Sequence, residues 1–446
     1  MEFPWLVHDI RGLALSGATA ASLPRFETAV RQLNLYIDDP VATVDQALAE
    51  SPEFVMAHAL RAWLHLIGTE PAGVQIARAA LAAAQSLPAT DREQGHLTAI
   101  GHLVEGRWSA ASHVLENITI EHPRDLLALQ VGHQTDFFRG DARMLRDRIA
   151  RALPAWTPDL PGYHAVLGMQ AFGLEETGQY AAAEKAGRRA IELEPRDGWA
   201  QHAVAHVMEM QGRPREGIAW MQKNMAGLSK NSFLAVHNWW HLALYHLDLG
   251  EIEEALALFD GPIYGTRSRK ILELVDASAL LWRLALRGID VGDRWQPLIE
   301  AWEPLTDASN YAFNDVHAMM AFVGGQRPDL VRRLLQAQDA AMAAPGDNAT
   351  FTRDVGRPVV LALKAFGNAC YADCVQRLRS VRNTAQRFGG SHAQRDLIDL
   401  TLIEAALRDG QPALASALAA ERQAVRPSSP LAKLFAIRAQ ELKRAA

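Results

Sequence analysis

HAVLGMQAFGLEETGQYAAAEKAGRRAIELEPRD, residues 164–197, decides the fold. Counted from His164, small residues stand at position 8 (Ala171), position 20 (Ala183) and position 27 (Ala190). Gly178 and, two residues later, Tyr180 mark a turn between two helix-forming stretches, and Pro195 stops the second. Ala, Leu, Glu, Gln and Arg fill most of the remainder, and these residues favour helix. Two helices that cross closely need small residues at the crossing, so the spacing predicts a helical hairpin.

The same register continues on both sides. From Gly198 it places Ala205 at position 8, Gly212 in the turn and Gly217 at position 20. After a longer connection it restarts at Val236, with Leu242 and Ala243 at 7 and 8, Gly250 in the turn and Ala255 at 20. Upstream, Ala99, Gly106, Trp108, Ala111 and Pro123 occupy the matching slots, and 395–427 is a fainter copy. Segments near 271–284, 311–335 and 355–383 look like degenerate hairpins. A thirty-four-residue period of this kind is the tetratricopeptide (TPR) spacing. Alternating Val/Ile/Thr runs are nearly absent, so little strand is expected. The expected fold class is all-α, an α-solenoid or superhelix of TPR-like helical hairpins. The expected organisation is one superhelical domain, 1–446. Residues 1–50 cap it, 92–262 carry the best repeats, 271–430 the degenerate ones, and 431–446 form a C-terminal tail that closes the stack.

Bulk properties exclude several classes. The 446 residues are 49% hydrophobic and 22% charged, as in an ordinary folded chain. With 45 basic and 51 acidic residues the net charge is −6, so a nucleic-acid partner is not expected. No apolar run approaches the roughly eighteen residues that span a bilayer, and no membrane association is expected. MEFPWLVHDIRGLALSG lacks the basic and apolar regions of a signal peptide. The two cysteines, in CYADC at 370 and 374, read as small packing residues of a reducing compartment, so a cytoplasmic location is expected. There is no P-loop, dinucleotide fingerprint or nucleophile elbow.

Two His-x-x-x-His pairs stand out, His202 and His206, then His237 and His241. In a TPR hairpin, positions 2, 5, 6, 9 and 12 of the first helix face the concave groove. His202, His206 and Glu209 fall at 5, 9 and 12, and His237 and His241 at 2 and 6. Residues four apart share one helix face. Neighbouring first helices pack roughly 8–10 Å apart, so the pairs are expected to converge. Trp240, at position 5, is expected to form an aromatic wall, and Gly168 to leave room. His246, at position 11, is expected in the packing seam. The four histidines are candidate ligands of a divalent metal (zinc, iron or manganese), with Glu209 as a further ligand. The Glu of His-Glu-x-x-His is missing, so the zincin motif is absent.

The chain resembles the tetratricopeptide repeat protein 38 family over nearly its whole length. The segments that carry the resemblance are FVMAHA (His58), DLLALQVGHQTDFF (His133, Asp136), WTPDLPGY (Tyr163), HAVAHVMEMQG and HNWWHLALYHLDLGEIEEAL. FNDVHAMMA (Asn314, Asp315, His317), RDVGRP (Arg353, Asp354) and GGSHAQRD (Gln394, Arg395, Asp396) complete the set. His246 and His392 depart from the pattern. The resemblance implies a TPR-like fold and no particular reaction. Its polar segments are unlike a packing seam, and add Asn314, Asp315, Arg353, Asp354 and Arg395 to the candidate ligand-binding residues. Asp354 and Asp396 also suit helix N-caps or interhelix ion pairs. His133 and Asp136, one helical turn apart, suit a pair in which the carboxylate orients the imidazole.

Three functional readings follow. The first is a His-lined concave pocket that binds a small or peptide-like acidic ligand. The second is a metal- or acid/base-dependent hydrolase or lyase, with Glu209, Asp315 or His317 as catalytic candidates. The third is a protein–protein scaffold, which rests on architecture alone. Oligomeric state is not legible.

Overall fold

The computed structural model describes residues 7–445 and is almost wholly helical. Its residues fall into two units. The first runs to Val204 and takes in Asn224–Ala235. The second comprises Ala205–Lys223 and the chain from Val236 onward.

The first unit opens on a short antiparallel ribbon, β1 (Val7–His8) with β2 (Ala14–Leu15), which the sequence pattern did not signal. Helical hairpins follow. They pair α1 (Ser22–Leu35) with α2 (Pro40–Glu50), and α3 (Val55–Leu66) with α4 (Pro71–Gln85). Next come α5 (Asp91–Val104) with α6 (Trp108–Glu121), and α7 (Leu126–Phe138) with α8 (Ala142–Ala152). Then α9 (Tyr163–Glu176) pairs with α10 (Tyr180–Leu193). The unit boundary falls inside α11 (Gly198–Met210).

The second unit continues with α12 (Pro214–Lys223). It then runs through α13 (Ala235–Leu249) and α14 (Ile252–Leu258), and pairs α15 (Ile271–Leu286) with α16 (Trp295–Trp302). After α17 (Ala312–Gly324) and α18 (Pro328–Ala343) comes a short α19 (Asp347–Phe351). The last hairpins are α20 (Arg357–Gly367) with α21 (Tyr371–Val381), and α22 (His392–Arg408) with α23 (Pro412–Val425). Residues 430–445 form a further helix, α24 (Pro430–Ala445), whose Leu431, Ala432, Phe435 and Ala439 are buried. It packs on α22 and α23.

The repeat register explains the hairpins. Ala171, Ala183, Ala190, Ala205, Ala243 and Ala255 are each 0% exposed, as helix crossings require. Gly178, Gly212 and Gly250 turn the chain with φ of +77°, +64° and +83°, a region open to glycine. The chain is therefore an all-α stack of TPR-like hairpins, the α-solenoid class. Among the described residues no helix is long and apolar enough to cross a membrane. Cys374 packs inside at 0% exposure, whereas Cys370 is exposed ahead of α21.

Within the second unit, contacts distant in sequence draw the last helices onto the first. Arg283 on α15 donates to the Ala393 carbonyl on α22 at 2.6 Å. Trp282 Nε1 donates to Thr401 Oγ1 at 3.0 Å. Ser428, ahead of α24, donates to the Gly212 carbonyl at 2.8 Å, across 216 residues of chain. The unit thus closes on itself.

Candidate functional site

Helices α11 and α13 bring the imidazoles of His206, His237 and His241 together in the second unit. The His206 and His241 ring centroids lie 4.4 Å apart, and those of His237 and His241 4.9 Å apart. One nitrogen on each of the three lies within 4.8 Å of the others. Two of the rings are braced by carboxylates. His237 Nδ1 donates to Asp276 on α15, at 2.9 and 3.0 Å to its two oxygens. His241 Nδ1 lies 3.2 Å from Glu209 Oε2. Trp240 stacks on His237, with centroids 5.4 Å apart and planes 13° apart. Its other neighbour is the Arg283 guanidinium, 5.2 Å from the indole centroid. Trp240 is fully buried.

Two of the three rings are buried outright instead of lining a concave pocket. His206 and His241 are 0% exposed, and only His237 keeps partial access to solvent. Helices of the closed second unit lie against the cluster: Asp276 on α15 meets His237, and His392 at the start of α22 acts electrostatically on His206. Burial, and beyond it the neighbouring imidazoles, hold His206 and His241 well below the ordinary histidine pKa. Both are neutral at pH 7. Burial pushes Asp276 up, against the opposing pull of His237.

His202, one turn before His206 on α11, belongs to the first unit. There it stacks on Phe172 with centroids 5.5 Å apart and leans against Trp199 at 4.8 Å. Gly168, expected to leave room, is closed off by Ala200, whose Cβ lies 3.3 Å from where a side chain would begin.

Beside the imidazoles, still within the second unit, lies a cavity of about 480 Å³. Glu209 belongs to both features: it meets His241 and lines the cavity. Seven arginines line the space against four carboxylates. Some of these charges neutralise one another. Arg422 donates to both oxygens of Asp396 at 2.8 and 3.0 Å, with Arg426 3.9 Å away. Burial opposes ionisation of Asp396, yet these two arginines hold its pKa below the ordinary value. Arg283, wholly buried, is lowered by that burial to about 10 and stays charged. Leu244, Leu286, Leu400 and Phe435 supply apolar wall.

The other candidates lie elsewhere. Asp315 accepts from Ser309 Oγ at 2.6 Å and from Gln338 on α18 at 3.1 Å, so it faces the α17–α18 seam. Burial raises it to about 7, although both hydrogen bonds oppose the rise. His317 donates Nδ1–H to the Phe313 carbonyl at 2.8 Å, and burial lowers it to about 4. Asn314 is buried on the same helix. Arg353 and Asp354 are exposed; Arg353 donates to the Met342 carbonyl, and Asp354 lies 3.9 Å from Arg387. Asp354 is no N-cap, because the chain passes through a π-helical turn, Thr352–Gly356, directly into α20. Asp396 is no cap either: Ser391 caps α22 in a capping box with Gln394. Arg395 turns back to the Gly390 carbonyl. His133 does not pair with Asp136, whose carboxylate is held by the buried Arg148 at 2.8 Å and by Ser112 at 2.6 Å. His246 is half-buried and pairs with Glu251 at 2.7 Å.

The sequence reading missed Asp276, Arg283, Arg422 and Arg426. Arg422 and Arg426, four apart at the end of a helix, carried a readable one-face spacing. Asp276 and Arg283 sit in a degenerate repeat where no register pointed inward.

No family model matches the chain. Among solved structures it is similar to the human IFIT1 dimer with m7Gppp-AAAA, at 13% identity and a TM-score of 0.40 over 94% of each chain. It is also similar to a chain of the APC/C hetero-tetramer Cut9–Hcn1, at 13% identity and a TM-score of 0.41. That match covers 86% of this chain and spans 63% of the other. Yeast Tom70 gives 13% identity and a TM-score of 0.33, over 94% of this chain and 88% of its own. At these scores the likeness is loose, and no functional argument rests on it.

Proposed function

We propose that this chain is a cytoplasmic ligand-binding protein of the tetratricopeptide repeat protein 38 family, and that its second unit takes a small or peptide-like acid. The observation that supports this most is the arginine excess of the cavity: seven guanidiniums against four carboxylates, in about 480 Å³ with apolar walls. Guanidinium forks match carboxylates and phosphates two hydrogen bonds at a time. The cavity has the size and mixed lining of a small-molecule site. The ligand contacts first expected from the imidazoles pass in this reading to Arg287 and Arg426, with Glu209 setting orientation. Room for one small molecule or one acidic side chain favours such a ligand over a nucleic-acid strand, and the net charge of −6 agrees.

Calorimetric titration tests the proposal. Citrate, pyrophosphate and an Asp/Glu-rich peptide serve as probes on wild type, Arg287→Gln and Arg426→Gln. One probe class is expected to bind the wild type with 1:1 stoichiometry and to lose at least about tenfold in affinity in either variant, which corresponds to about 1.4 kcal/mol. Equal affinity in all three proteins, or no binding by any probe, overturns it.

A further inference from the structure

The imidazole cluster has a chemistry of its own, apart from the cavity. Three rings from two helices converge so that one nitrogen on each lies within 4.8 Å of the others. Chance burial of three histidines would not also supply two of the rings with a carboxylate. Asp276 grips His237 through Nδ1, and Glu209 meets His241 through Nδ1. With Nδ1 committed to a carboxylate, Nε2 is the nitrogen by which those rings would ligate an ion. That histidine–carboxylate relay is the usual outer support of metal-bound histidine, because it fixes the tautomer and makes the ring a better donor. Trp240 walls the cluster on one side.

We propose that His206, His237 and His241 form a three-imidazole site for a divalent transition metal, supported by Asp276 and Glu209. Imidazole donors select zinc, cobalt, nickel or copper over magnesium and calcium, which prefer oxygen. Two neighbouring carboxylates offset the ion's charge in a setting otherwise walled by indole and helix. Nitrogens about 2.0–2.1 Å from zinc in tetrahedral array stand roughly 3.4 Å apart. Small rotations of the three rings close the gap from the observed spacing. Glu209 also lines the cavity, which marks the side from which an ion would enter. Three protein ligands leave a coordination position for water or for a bound acid, the arrangement of open rather than structural zinc sites.

The proposal stands independently of acid binding in the cavity, since a metal can load whether or not the arginines hold a ligand. The test strips the full-length chain with a chelator, titrates it with Zn²⁺ and Co²⁺, and reads stoichiometry by calorimetry and elemental analysis. One ion per chain is expected, with visible cobalt bands of a low-coordinate nitrogen site and X-ray absorption showing about three imidazole shells. His206→Ala and His241→Ala are expected to lose at least about 100-fold in affinity. Asp276→Asn is expected to keep the stoichiometry while losing about 10–100-fold. His246→Ala, away from the cluster, is the control and keeps wild-type affinity. If an alanine variant fails to fold, the Asp276→Asn affinity and the wild-type cobalt spectrum decide alone. A wild type that takes up neither ion, or an Asp276→Asn protein with wild-type affinity and oxygen-type cobalt bands in the wild type, overturns the proposal.

Discussion

Asp315 shows how a polar segment that reads as a site becomes a buried structural group. The residue is 6% exposed, and its carboxylate receives hydrogen bonds from Ser309 and Gln338. Burial raises its pKa to about 7. A carboxyl group raised in the folded state holds its proton longer there than in the unfolded chain. Stability is then highest below about pH 4 for this group, and falls as pH rises through the interval from about 4 to 7. Asp315→Asn, which cannot ionise, should remove up to about 4 kcal/mol of that fall. Denaturant melts at pH 5 and pH 8 check it: the variant should gain on wild type at the higher pH, and an unchanged difference between the two pH values refutes the account. Residue type was legible here, and orientation was not. A helix shows every residue to some neighbour, and only the position of α18 decided that Asp315 meets Gln338 instead of a ligand.

Single elements followed the sequence most closely where a backbone constraint governs. Gly217, the small residue of its repeat, lies against Tyr245, and an added Cβ would stand 2.2 Å from the ring. That ring is 1% exposed and tied by its hydroxyl to the Ala205 carbonyl at 2.6 Å, so it cannot step aside. Gly217→Ala should therefore cost about 1–3 kcal/mol by overpacking, read as a lower thermal midpoint with far-UV helicity unchanged. The small positions and turn glycines were visible because sterics at a helix crossing admit few residue types. Caps were less visible. Ser391 with Gln394 outcompetes Asp396 at the start of α22, because the capping box needs a side chain at the cap and a partner three residues on. The π-helical turn at Thr352–Gly356 had no local signature, and it displaced the cap expected of Asp354. The β1–β2 ribbon, two residues per strand, is too short for a periodic signal.

At the scale of the molecule, closure of the second unit governs the site. Ser428 reaches Gly212, Arg426 lies 3.6 Å from the Met210 sulfur and 3.7 Å from Glu209, and Ser429 binds Asp248. Helix α24 adds Leu431, Leu434 and Phe435 to the cavity wall. Deleting residues 427–446 should open the cavity and loosen the ends of α11 and α13. Hydrogen exchange of peptides covering 205–213 and 242–250 is expected to quicken by about tenfold or more, the mark of a lost local stability near 1.4 kcal/mol. Protection equal to that of the full chain refutes a closing role for α24. An open TPR groove would not depend on its last helix in this way.

The sequence by itself determined the helical hairpins, their turns, their small-residue crossings and the placing of His206, His237 and His241 on consecutive first helices. Those features depend on contacts within a repeat or between adjacent repeats, and a local pattern encodes such contacts. The tertiary structure alone decided that His206 and His241 are buried, that Asp276 and Glu209 brace the rings, and that arginines from α15, α22 and the α23–α24 turn surround one cavity. The braces join residues 39 and 32 apart, Asp276 with His237 and Glu209 with His241, whereas the closure that surrounds the cavity joins partners more than a hundred residues apart, such as Arg283 with Ala393. No repeat register carries that information, because what brings such partners together is the accumulated turn of several degenerate hairpins.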